Sequence, residues 1–130
     1  MRTLMILGAL SMLPNCNGDE TVRAYGAADK VWRVTEIDGK PFTAHATLTF
    51  PEAGKIAGDA PCNSYSATMT VPYPWFEAGP VAVTRRACPQ LAAEAAYLAA
   101  LRDATLSEVL GNTLILSSVK RPLAVFKAVE

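Results

Sequence analysis

The stretch GDAPCNSYSATM, residues 58–69, decides the predicted fold, because it places a cysteine and an asparagine at the start of an alternating segment. From Tyr65 onward apolar and polar residues take turns, which is the pattern of a strand with one buried face. A second cysteine, Cys88, lies in TRRACPQLAAE, where an alanine-rich stretch begins. Cys62 therefore opens a predicted strand, and Cys88 opens a predicted helix.

Other segments on both sides of this stretch also predict strands. VWRVTEI (31–37) is rich in β-branched and aromatic residues and precedes the hairpin signal Asp38-Gly39. ATLTF (46–50) alternates in the same way as the opening stretch. The remaining predicted strands are KIAG (55–58), VAVT (81–84), TLILSS (113–118) and LAVFKAV (123–129), and WF (75–76) is a candidate start of one more.

The segment PQLAAEAAYLAALRDATL (89–106) predicts a helix, since alanine and leucine favour helical backbone. Pro89 suits the first helical position, where a missing N–H costs nothing. Several strands, one helix and a final hairpin follow one another with few βαβ repeats. The predicted class is therefore α+β, a curled antiparallel β-sheet, partly open and barrel-like, with one packed α-helix. One stripe at helical spacing is predicted to face the sheet: Leu91, Glu94, Leu98 and Leu101.

Glu94 is the unusual member of this stripe, because a buried carboxylate is costly unless it is hydrogen-bonded or paired. Its candidate partners are Arg85 and Arg86, and also Asn63 if a disulfide brings that strand close. We expect Asn63, Thr84, Arg85 and Glu94 to form a structural polar cluster, with Asn63 also bonding local backbone at a turn. The alternatives are an acid or base with a perturbed pKa in a pocket, and a Glu94 at the exposed margin of a rotated helix.

The N-terminus, MRTLMILGALSMLPNCNGDE, has a basic residue and then an apolar run of signal-peptide length. Residues 1–18 are predicted to be a signal peptide. It is either a lipoprotein signal that ends before Cys16, which would then be lipidated, or an ordinary signal cleaved after Gly18. An uncleaved start is the third option. Residues 19–29 are predicted to be a tether. The predicted location is the periplasm, in soluble form or as a membrane-anchored lipoprotein.

Export leaves Cys62 and Cys88 as an even pair in an oxidising compartment, which favours a disulfide between them. Two unbonded buried cysteines are the alternative. His45 is the only histidine, and no catalytic residues, metal ligands or cofactor are predicted. Twelve basic residues balance twelve acidic ones without a Lys/Arg run, which argues against nucleic-acid binding.

The residue order resembles the META domain, also called the HslJ-like family, over about residues 30–128. The resemblance rests on four groups of residues, the last of which includes the chain's last aromatic residue. They are Trp32 with Gly39; Gly58, Cys62-Asn63 and Tyr65; Thr84-Arg85 with Ala87-Cys88-Pro89, then Glu94 and Leu101; and Gly111, Leu114, Leu116 and Phe126. Residues 30–130 are accordingly predicted to be one domain of this family.

The resemblance implies a bacterial envelope protein linked to stress response, without an established enzymatic activity. We therefore expect a non-enzymatic envelope module with an unidentified envelope partner. Two alternatives are a binder of a small apolar ligand or lipid, and an inhibitor-like module that binds a protein. Tyr73, Trp75 and Phe76, joined by Met69 in the ligand-binding case, form the candidate binding surface.

Overall fold

The computed structural model describes residues 18–129, which form a single nine-stranded antiparallel sheet with one α-helix. Eight strands run across the sheet in the order β6-β5-β4-β3-β1-β9-β8-β7, and β2 pairs with β1. This arrangement confirms the predicted α+β class. The elements are β1 (Val31–Ile37), β2 (Lys40–Pro41), β3 (Thr47–Glu52), β4 (Lys55–Asp59), β5 (Ser64–Thr68), β6 (Ala82–Val83), α1 (Leu91–Asp103), β7 (Leu106–Leu110), β8 (Thr113–Ser117) and β9 (Pro122–Val129).

The central strand is β1, and its alternation sends Trp32 and Val34 into the core. It pairs with β3 on one side and with β9, from the far end of the chain, on the other. Asp38 and Gly39 have φ angles of 52° and 78°, the left-handed values that a tight hairpin into β2 requires. The predicted turn is therefore confirmed, and it sets the register of β2 on β1.

The helix starts later than its sequence predicts. Pro89 lies in the turn before α1, and the first helical residue is Leu91, so the prediction of Pro89 at the first helical position is wrong. Leu91 is 47% exposed and does not join the buried stripe. Tyr97, fully buried, takes its place in the stripe beside Glu94, Leu98 and Leu101.

The predicted final hairpin is confirmed as the antiparallel pair β8–β9, and one further strand, β7, lies between the helix and this hairpin. The helix ends at Asp103, and Leu106–Leu110 forms β7, which pairs with β8. The sequence LSEVL is short and directly follows the alanine-rich segment. The predicted helix therefore included Leu106, which is the first residue of β7. Gly111 forms the turn after β7 with a φ of 62°.

Residues 21–27 belong to the folded domain, so the prediction of a tether over residues 19–29 is wrong. Val22 begins a short 3-10 helix, Val22–Tyr25, and is completely buried together with Ala27. The indole Nε1–H of Trp32 donates to the Ala27 carbonyl over 3.1 Å. Because this segment has only weak periodicity, its sequence did not identify Val22 and Ala27 as core residues, which contacts with the rest of the domain bury.

The connection between β5 and β6 spans the gap between the two ends of the sheet. At one end, Gly79 N–H donates to the Thr68 carbonyl of β5 over 2.9 Å. At the other end, Ser107 N–H of β7 donates to the Pro74 carbonyl over 2.7 Å, and Trp75 forms an isolated bridge with Leu106. The predicted strand at WF (75–76) is therefore only this one bridge. The curled sheet is closed along this side by a loop rather than by strand pairing.

Gly58 is the glycine whose lack of a side chain the sheet requires most clearly. An added Cβ would collide with the Thr47 backbone carbonyl and would approach the Tyr65 hydroxyl to 2.9 Å. We expect Gly58→Ala to lower the free energy of unfolding by about 2–3 kcal/mol, because the colliding atoms are backbone and cannot swing away. Urea denaturation measures this change. The control Ser66→Ala, at an exposed position of β5, should change it by less than about 0.5 kcal/mol. Equal stability of the two variants would contradict this packing.

Candidate functional site

A disulfide joins Cys62 to Cys88, with Cα atoms 5.6 Å apart, which confirms the predicted pairing. Cys62 lies between β4 and β5, and Cys88 lies just before α1. The bond closes a loop of 26 residues, for which the loop-entropy relation gives about 3–4 kcal/mol of stabilisation. It fixes the start of the helix on the edge of the sheet.

Glu94 lies one turn into α1, beside this disulfide, and is only 6% exposed. Its Oε1 accepts a hydrogen bond from the Cys62 N–H over 2.8 Å, and its Oε2 accepts one from the Asn63 amide over 2.8 Å. Hydrogen bonds of this kind to a carboxylate are short and strong. The first turn of a helix also favours negative charge. The carboxylate therefore holds α1 against the β4–β5 turn.

Asn63 uses its whole side-chain amide in this contact. Besides the bond to Glu94, Nδ2 donates to the Arg86 carbonyl over 3.0 Å. Oδ1 accepts from the Thr84 hydroxyl over 2.9 Å and from the Arg86 N–H over 2.6 Å. An asparagine side chain can make four hydrogen bonds, and all four are present. The predicted bonds of this side chain to local backbone are replaced by bonds to residues more than twenty positions away.

The structure brings together three of the four residues predicted for the polar cluster, Asn63, Thr84 and Glu94. The prediction for Arg85 is wrong, because the hydrogen bonds from this segment are made by Arg86. Arg86 also directs Nε and Nη2 to the Cys62 carbonyl, each over 3.3 Å. Of the two arginines, Arg86 is therefore the one that bonds to the cluster. We call the disulfide with Asn63, Thr84, Arg86 and Glu94 the polar brace.

The geometry of the polar brace favours a structural role for Glu94. Both carboxylate oxygens accept hydrogen bonds from groups that are fixed by the fold. Both donors come from the β4–β5 turn that the disulfide holds in place. A general acid or base needs instead an oxygen that can reach a substrate proton. This arrangement agrees with the prediction that Glu94 fastens the helix to the sheet.

A second buried polar contact involves Tyr65 and Tyr97, and the sequence analysis gave Tyr97 no role. Their hydroxyl groups lie 2.5 Å apart, and both reach the Thr47 carbonyl, over 2.7 Å and 3.3 Å. Burial raises the pKa of both phenols well above the ordinary tyrosine value. The spacing of the helical stripe could have predicted that Tyr97 is buried, since it lies three residues after Glu94 and next to Leu98 on the same face of the helix.

The candidate binding surface divides into buried and exposed parts. Phe76 and Met69 are 2% and 1% exposed, so the prediction that they contribute to a binding surface or a cavity mouth is wrong. Trp75 is 53% exposed and borders an open groove of about 600 Å³. Tyr73 is half-buried and stacks on Tyr25, with ring centroids 4.7 Å apart. What remains at the surface is an aromatic rim of Tyr25, Tyr73 and Trp75.

Other predicted positions fall outside these two regions. Cys16, the lipidation candidate, lies outside the described residues. His45 is exposed in the connection between β2 and β3. Across residues 18–129, no three His, Cys, Asp or Glu side chains are grouped closely enough to hold a metal ion. Over the same residues, no helix has the length and apolar character needed to cross a bilayer.

Substitution of Glu94 tests the polar brace. Glu94→Leu removes both acceptors and leaves the Cys62 N–H buried without a partner, so we expect a loss of about 2–4 kcal/mol in the free energy of unfolding. Glu94→Gln keeps one acceptor and should lose about 1–2 kcal/mol. Urea denaturation of the oxidised protein measures both changes. Glu108→Gln, at an exposed position of β7, serves as the control and should leave stability unchanged. Unchanged free energies of unfolding for both Glu94 variants would refute the fastening role.

The buried tyrosine pair predicts a loss of stability in alkali. The pKa values of both phenols are raised in the folded state, so the folded protein keeps these protons at a pH where the unfolded chain releases them. Their contribution is complete below about pH 10 and is lost as the pH rises above it. Between about pH 9 and about pH 11, we expect the free energy of unfolding to fall less with pH for Tyr97→Phe than for wild type. Urea denaturation at several pH values measures this dependence. The control Ile56→Val also disturbs the core but should keep the wild-type pH dependence. Parallel curves for wild type and Tyr97→Phe would contradict the argument.

Comparison with solved structures identifies the fold. An NMR structure of a protein matches 80% of this chain and 92% of its own length, with a TM-score of 0.62 and 23% identity. An NMR structure of a protein from Burkholderia xenovorans matches 79% of this chain and 83% of its own, with a TM-score of 0.63 and 22% identity. A crystal structure of a DUF4847 family protein from Bacteroides vulgatus matches 82% of this chain and 96% of its own length, with a TM-score of 0.62 and 14% identity. At these identities the similarity shows a shared fold.

Comparison with curated protein sequences finds no match. The model of the META domain family matches residues 26–130, which is most of the chain. The match begins within the segment that the structure adds to the folded domain, before β1. The chain belongs to the META domain family.

Proposed function

We propose that this META domain protein is a non-enzymatic module of the bacterial cell envelope, exported and anchored through a lipid on Cys16. The observation that carries the proposal is the Cys62–Cys88 disulfide within the polar brace. A structural disulfide is typical of proteins that fold in an oxidising compartment. The basic and apolar N-terminus with Cys16 supports export to that compartment and attachment there.

The non-enzymatic part of the proposal is supported by how the buried polar groups are used. The Glu94 carboxylate and the Asn63 amide are the polar groups most suited to chemistry in the domain interior, and both are committed to contacts within the fold. The aromatic rim offers exposed apolar surface, since Tyr25 and Trp75 are each 53% exposed. A protein with these properties works by contact with another surface rather than by reaction. A role in envelope stress, which the family resemblance implies, is part of the same proposal.

Fractionation of cells that produce the full chain tests export and anchoring. We expect the wild type in the membrane pellet, labelled by added radioactive palmitate, because acyl chains hold it on the bilayer. Cys16→Ala should lose the label and leave the pellet. Asn17→Ala keeps the cysteine and serves as the control. Recovery of the wild type in the cytosol would contradict export, and equal periplasmic release of wild type and Cys16→Ala would contradict the anchor.

A further inference from the structure

The aromatic rim is positioned at the point where the described chain begins. Tyr73 N–H donates to the Glu20 carbonyl over 2.7 Å, and the Tyr73 ring stacks on Tyr25 at an interplanar angle of 13°. Trp75 N–H donates to the Pro72 carbonyl over 2.8 Å, so Trp75 follows Pro72 within one turn. Pro72 borders both the groove beside Trp75 and a second groove formed by residues 18–21. The start of the domain and the rim therefore share one face of the molecule.

The folded domain begins almost immediately after the proposed anchor. Asp19 is already fixed, since its Oδ1 accepts bonds from the Thr21 N–H over 2.9 Å and from the Thr21 hydroxyl over 2.6 Å. Its carboxylate also lies 3.5 Å from Arg23. Despite the opposing effect of burial, hydrogen bonds from Thr21 and Arg23 lower the pKa of Asp19. This carboxylate therefore stays charged and keeps its place near the anchor.

Only Asn17 and Gly18 separate Cys16 from Asp19 in the sequence. Three Cα–Cα steps span at most about 11 Å. The headgroup layer on each side of a bilayer is about 5–8 Å thick. A lipidated Cys16 would thus hold Asp19 within about 11 Å of the lipidated residue. The rim lies close to the same point, because Tyr73 bonds to Glu20, the next residue after Asp19.

We propose that the aromatic rim docks on the phospholipid headgroup layer next to lipidated Cys16, with Trp75 inserted at the interface. This inference rests on the proposed function, because it requires the anchor. Tryptophan and tyrosine are enriched at membrane–water interfaces, where an apolar ring and a polar N–H or O–H both find suitable surroundings. Trp75 and Tyr25 are each 53% exposed, and each side chain combines an apolar ring with a polar N–H or O–H.

The charges around the rim indicate which lipid surface it meets. Glu20, Glu77 and Arg102 are exposed nearby, and Arg23 is half-buried in its pair with Asp19. Carboxylates outnumber free cations at this face, so anionic headgroups would be repelled rather than attracted. The lipid that fits is zwitterionic, and contact depends on the anchor and the aromatic rings instead of a basic patch.

The two tryptophans make the proposal measurable, because Trp32 is fully buried while Trp75 is exposed. Purified, lipidated full-chain protein is reconstituted into phosphatidylethanolamine–phosphatidylcholine vesicles with or without bromine on the acyl chains. Bromine quenches tryptophans that reach the interface. We expect a blue shift of the emission on vesicles and a loss of the Trp75 component in brominated ones. Trp75→Phe retains only Trp32 and should show neither change; its urea midpoint, close to that of wild type, verifies that it is folded.

Flotation of the same vesicles distinguishes a failure of rim docking from a failure of the lipid anchor. Wild type that floats while Trp75 stays unquenched and unshifted would overturn rim docking, keep the anchor, and assign the rim to a protein partner. Wild type that fails to float, like Cys16→Ala, would overturn the anchor and the docking together. Trp75 that is quenched only after phosphatidylglycerol is added to these zwitterionic vesicles would overturn the lipid assignment.

Discussion

The structure depends on a buried carboxylate that has no ionic partner in the polar brace and is stabilised by two N–H donors. Glu94 can remain buried only while the Cys62 N–H and the Asn63 amide point at it. Those donors lie in a turn that the disulfide and Arg86 hold in place. Helix, turn and the segment before the helix thus require one another, and loss of one leaves buried polar atoms unpaired in the others.

Much of this arrangement could be predicted from residue type and spacing. Alternation in β1 and around Tyr65 identified strands, and Asp38-Gly39 identified a hairpin, because these signals are local. The disulfide and the Glu94–Asn63 contact followed from chemistry, since an even cysteine pair and a carboxylate on an apolar stripe each require a partner. The sequence could not decide between Arg85 and Arg86, because that choice depends on the rotation of an irregular segment.

Other features depend on tertiary contacts that local patterns do not carry. Val22 and Ala27 are core residues in a segment without clear periodicity, and Trp32 reaches them from β1. The strand β7 follows a strong helix signal and is stabilised by β8 and by the β5–β6 loop. The folding of residues 21–27 also changes the expected reach of the domain: what the sequence presents as a flexible spacer is part of a rigid body beginning close to Cys16.

The β5–β6 loop, which bonds to β7, has a consequence for self-association. A bare terminal strand offers unpaired N–H and C=O groups on which another molecule can add a strand. Here Pro74, Trp75 and Phe76 already bond to the Thr105–Ser107 backbone, and prolines at 72 and 74 lack the N–H that would extend the ladder outward. Neighbouring copies of the protein would therefore find no open strand edge on this side for edge-to-edge polymerisation.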